Sequence, residues 1–255
     1  MQLSFGAGDF YGVPLFDANG NAITNPTPIK IGAMQSMSLD FSGDLKQLFG
    51  QNQFALAIAR GKVNISGKMT GAQIHGALLN NLFFGQTLTA GTLAAVNTDV
   101  TGALIPATPF TLTVTPPSAG TFVADLGVLN ANQVPMTAVA SAPATGQYSV
   151  SGIGVYTFAA ADTGLKVFIN YSYTSTLASA KKLSLANLPM GAAPSFMAYM
   201  HTNYQGKRAM VKLYSCIANK LMLFGTKLDD FNIPELDFTA VADASNNVAD
   251  IYLSE

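Results

Sequence analysis

From residue 110 to residue 174 a turn signal recurs about every eight to twelve positions, which leaves room for short strands and little else. Strands are expected at 110–115, 121–128, 146–150, 154–158 and 166–174, with Pro116, Pro117, Pro135 and Pro143 in the gaps. The flanking sequence follows the same rule. Lys62-Val-Asn-Ile-Ser-Gly-Lys68 alternates polar with apolar and places Val63 and Ile65 on one face. A strand at 29–41 is interrupted by Gly32, and strands at 196–204 and 207–217 flank Gln205-Gly206, a two-residue hairpin turn. Near the end Leu236, Phe238, Ala240 and Ala242 share a face, and Asn246-Asn247 turns the chain into a last strand at 248–253.

One segment has helical spacing. Thr70 and Gln73 match the Thr-x-x-Gln form of a capping box. Ile74, Leu78 and Leu82 then recur at i, i+4 and i+8, joined by Leu79 and Phe83 on the neighbouring row. Asn80 and Asn81 interrupt the stripe, and Gly85 is placed to end the helix in a left-handed conformation. The expected fold is therefore mainly β: a sandwich or barrel with one flanking α-helix at about 71–84 and a β-rich insertion. Residues 1–85 and 177–255 form the core in this reading, and 86–176 the insertion.

Charge is scarce. Charged residues make up 11% of the 255-residue chain, against a usual share of about 25%. Within 86–176 the only charges are Asp99, Asp125, Asp162 and Lys166. Such a surface suits burial against neighbouring subunits, and an edge-protected sheet rich in threonine explains it equally well. The net charge of −1 provides no global field that would draw the chain to nucleic acid.

The last third sorts its charges by sign. From 163 to 228 every charge is basic, including Lys207, Arg208, Lys212, Lys220 and Lys227; from 229 to 255 every charge is acidic, including Asp229, Asp230, Glu235 and Asp237. Stacking on copies of itself would give such a chain steering and register from the split. Sheet edges of one sign each are the plain alternative. The expected charge-complementary contacts are Lys207, Arg208 and Lys212 with Asp229, Asp230, Glu235 and Asp237.

Reactive chemistry finds no foothold in the sequence. Cys216 is the one cysteine and sits in a strand-like run, which suits a small buried hydrophobe. His75 and His201 are the two histidines and are far apart, so no metal cluster is readable, and no cofactor is implied. The glycines near Gly6 and Gly152 lack Rossmann or Walker spacing. Asp229-Asp230 and Glu235/Asp237 read as a solvated acidic face. No catalytic residue is assigned and no enzyme is expected. The start of the chain lacks a secretory signal and no window is apolar enough to span a membrane, so an intracellular product without membrane insertion is expected.

Lys46-Gln-Leu-Phe-Gly-Gln-Asn-Gln-Phe54, then Ala59-Arg-Gly-Lys62, then Gly67-Lys-Met-Thr-Gly-Ala-Gln-Ile74 leading to Phe83-Phe-Gly85, resembles the tail tube (major tail) proteins of tailed bacteriophages. Asp230-Phe-Asn-Ile-Pro-Glu-Leu-Asp-Phe-Thr-Ala-Val-Ala-Asp243 and the closing Ile251-Tyr-Leu-Ser-Glu255 are similar to that family's final strand pair. The matches cover roughly 28–85 and 195–255. The resemblance implies a tail-tube-type sandwich or barrel without enzymatic activity. Six subunits would close into a ring, and rings would stack into a tube in the virion tail, assembled in the bacterial cytoplasm. Phage DNA would pass through the lumen without specific binding. Tape measure, tail terminator and distal tail proteins would be its partners.

Two surface expectations follow. A lumen that must not grip phosphates should be lined by Thr, Ser, Asn, Gln and acids, with the basic residues at interfaces or outside. The segment 45–60, read as a Gly/Gln-rich loop, holds Leu48, Phe49, Phe54 and Leu56 beside Arg60, and should dock on an adjacent subunit. Rival readings are the tube of a contractile tail, a tailocin or a secretion-system particle, and a carbohydrate-binding or adhesin module using Tyr148, Tyr156, Phe158, Tyr171 and Tyr173.

Overall fold

The computed structural model describes residues 6–73, 76, 80–226 and 228–254. Among them the chain is mainly β. In chain order the strands are β1 (Asp9–Phe16), β2 (Ile29–Lys30), β3 (Met34–Phe49), β4 (Ala55–Gly71), β5 (Leu88–Asn97), β6 (Ala103–Leu104), β7 (Thr111–Thr113) and β8 (Thr121–Asn130). They continue with β9 (Thr137–Ala138), β10 (Gln147–Val150), β11 (Val155–Phe158), β12 (Lys166–Leu183), β13 (Ser195–Tyr204), β14 (Lys207–Met222), β15 (Glu235–Val241) and β16 (Ala249–Leu253). Two units divide them: one runs to Leu88 and resumes at Leu183, and the other is Thr89–Lys182. The sequence alone puts that division after residues 85 and 176.

The first unit is built on one sheet in the order β2-β1-β13-β14-β15-β4-β3, with β16 also paired to β14. Alternation decides which face is wet. On β15 Leu236 and Phe238 are buried, while Glu235 and Asp237 lie on the other face. Phe10, Phe196, Ala198, Leu213 and Met69 join them in the core. Cys216 belongs to this core too, and burial pushes its thiol up to about 12, so it stays a small hydrophobe. The sheet curls until Gly8, just before β1, lies against Met37 of β3. Gln205 and Gly206 both take positive φ and form the expected turn between β13 and β14. The first strand candidate does break at Gly32, where β2 gives way to β3.

The helix is shorter than its sequence pattern suggests. β4 continues through Gly71, and Thr70 pairs with Glu235 inside the sheet, so Thr70 caps no helix. Its hydroxyl instead lies 2.7 Å from that of Ser36. Cross-strand pairing outcompeted a local cap. The helical residues described are Gly76 and the turn Asn80–Phe84, which is π-wound. Ile74, His75, Leu78 and Leu79 lie outside the described residues. Leu82 is fully buried against Gly12, Phe83 packs on the same core, and Gly85 ends the turn at φ 60. Asn80 is buried because its side chain replaces a strand partner: its Oδ1 accepts the Gln86 N–H at 2.9 Å, and its Nδ2 donates to the Gln86 carbonyl.

The second unit holds two four-stranded sheets, one ordered β7-β11-β10-β9, the other with β5, β6 and β8 arranged on β12. Val128, Tyr148, Tyr156, Phe158, Val167, Ile169 and Tyr171 form its core in a sandwich-like arrangement. The hydroxyls of Tyr148 and Tyr156 both donate to Asp125, at 2.6 and 2.9 Å. Burial first, and then that carboxylate, raise both phenols well above the usual tyrosine value of 10.0. The aromatics named for a glycan-binding reading are therefore mostly core, with Tyr173 half-buried beside them.

Candidate assembly surface

The segment read as a loop at 45–60 is instead a β-hairpin arm. β3 and β4 pair along its length, with Leu45 opposite Arg60, Gln47 opposite Ile58, and Leu48 opposite Ala57. The β3–β4 ladder runs on from the sheet into this segment, and cross-strand pairing outweighs the loop-like composition of Gly50 and the glutamines. β15 pairs with β4 only from Ile65 to Thr70, so beyond Ile65 the two arm strands have each other as partners. Every residue from 40 to 54 and from 56 to 64 is exposed. Phe54 is 84% exposed, Leu56 70%, and Leu45, Leu48, Phe49 and Ile58 are also open to solvent on both faces. β3 ends the strand order, which leaves a long hydrophobic edge. A two-stranded ribbon is marginal alone in water, and such an edge is a template for association.

The sign-sorted charges meet within one sheet. Basic β14 pairs with both acidic strands, β15 and β16, which lie end to end along one of its edges while β13 takes the other. Lys220 Nζ is 2.6 Å from Glu235 Oε1 and 3.8 Å from Asp237 Oδ2, and Lys68 from β4 reaches Glu235 Oε2 at 2.6 Å. Hydrogen bonds from Lys220 and then Lys68 lower the Glu235 carboxyl, and the Glu235 bond raises Lys220. Farther along β14, Lys212 pairs in register with Asp250 and lies 4.0 Å over the Tyr214 ring. Tyr214 donates to Asp250 at 2.6 Å, which pushes its phenol up to about 12.

Directly opposed residues share a face, so Lys212 and Lys220 lie on the same face as Asp250, Glu235 and Asp237. On this face antiparallel pairing brings together within one chain blocks of opposite sign that the sequence keeps apart. Lys207 and Arg208 open β14, and the Arg208 backbone N–H donates to Ser254 Oγ at 2.6 Å. Asp229 and Asp230 lie on the exposed loop before β15. Lys227 falls outside the described residues.

That loop is a surface that sequence reasoning missed. Asn232 ties its two limbs, accepting from the Gly225 N–H at 2.9 Å and donating to the Leu223 carbonyl. Yet Phe224, Leu228 and Phe231 are 83%, 99% and 89% exposed. Apolar residues flanking Asp229-Asp230 in a turn were the available signal.

Among the described residues no three His, Cys, Asp or Glu side chains gather as a metal site, and no helix is long and apolar enough to cross a membrane. No protein-family model matches the sequence, and no curated protein matches it.

Proposed function

We propose that this chain is a structural subunit that polymerises with its own copies, as stacked six-membered rings, into the tail tube of a bacteriophage. The observation that carries the reading is the two-stranded arm, whose apolar residues are exposed on both faces. An apolar surface of that kind is costly to leave in water and marks a contact with another molecule. The sequence resemblance names the assembly; the arm supports a chain built to be completed by neighbours. In this reading the tube carries genomic DNA without gripping it, catalyses nothing, and meets tape measure, terminator and distal tail proteins at its ends.

The neutralised sheet face suits such a conduit. Its lysines lie beside carboxylates, so few cations are free to release counterions from a passing phosphate backbone. Sedimentation velocity tests the reading. Wild-type protein should form large, concentration-dependent species, while Phe49→Ser with Phe54→Ser should leave a folded monomer. Unchanged polymerisation by the double variant would remove the arm from the assembly.

A further inference from the structure

The arm and the Asn232-tied loop stand at opposite ends of the same strands. The arm tip joins β3 to β4 at residues 50–54, whereas the Gly71 N–H at the far end of β4 donates to Pro234 O at 3.2 Å, where the loop ends. β4 spans 17 residues, about 50 Å of extended chain. An arm so held cannot reach the loop of its own molecule.

Both surfaces are apolar and exposed, and their charges are of opposite sign. On the arm Lys46, Arg60 and Lys62 outweigh Asp44; on the loop the charged side chains among the described residues are Asp229 and Asp230, both acidic. We infer that the arm tip of one copy docks on the 223–234 loop of the next, a head-to-tail contact in which Phe54 meets Phe224 and Phe231. Two different patches in contact make a heterologous interface, which propagates into rings or stacks instead of stopping at a dimer. The apolar side chains supply the buried centre and the charges set orientation and encounter rate. Asn232 pre-orders the acceptor, which lowers the ordering cost of docking. The occupant is thus a second copy of this chain, and the inference rests on the self-assembly reading above.

Variants with one added cysteine test it. Asn52→Cys at the tip and Thr226→Cys on the loop both replace exposed residues, and Cys216 is buried and inert. The two variants are mixed and treated with a short bismaleimide, alongside each variant alone and a sedimentation run on every sample. A covalent dimer in the mixture, at least about tenfold stronger than in either single sample, is expected. Assembly without that mixed dimer, also with Gln53→Cys in place of Asn52→Cys, would overturn the arm-to-loop contact and leave self-assembly standing. Monomers throughout, wild type included, would overturn both.

Discussion

Glu235 holds two lysines from the strands on either side of it: Lys68 on β4 and Lys220 on β14, each 2.6 Å away. The carboxylate ties three strands together: without it Lys68 would lose this ion pair and Lys220 would keep Asp237 at 3.8 Å.

Acid should therefore loosen this sheet. The folded Glu235 carboxyl lies below its ordinary value of 4.5, so its contribution is present above that value and is lost as pH falls through the folded one. Melting curves from about pH 7 down to about pH 3 should show a smaller acid-side loss in Glu235→Gln than in wild type. Equal losses would mean that the triad contributes nothing to stability.

Asp125 accepts two phenols in the second unit. Asp125→Ala should cost about 2 kcal/mol in urea unfolding, because two hydroxyls lose their acceptor. Tyr148 and Tyr156 have raised folded values, so their contribution is complete below about pH 10 and fades as pH rises beyond it. Ultraviolet titration should show these two phenols resisting ionisation until the unit unfolds.

Gly67 lies beneath the Phe238 ring, where an added Cβ would collide with the ring. Gly67→Ala should lower unfolding free energy by about 1–3 kcal/mol, since the ring must leave its rotamer. Phe238→Leu in the same background should recover part of that loss. No recovery would place the strain elsewhere.

Much of the fold was legible because its turns and strands are local. Gln205-Gly206 announces a tight hairpin, Gly32 a break, and Leu236 with Phe238 a buried face. Long-range pairing was not legible. Thr70 and Gln73 look like a helix start until Glu235, far along the chain, claims Thr70 for the sheet. The arm defeats periodicity because both of its faces are wet, so Leu48, Phe49 and Ile58 show no inside and no outside. Likewise, blocks of one sign in sequence say nothing of which strands lie side by side.

Whether this chain builds a hollow conduit from its own copies is settled most directly by negative-stain electron microscopy of the purified protein over a range of concentrations. Hollow tubes or six-fold rings, lost in the Phe49→Ser, Phe54→Ser variant, are the expected images. Isolated single particles at every concentration would contradict the proposal outright.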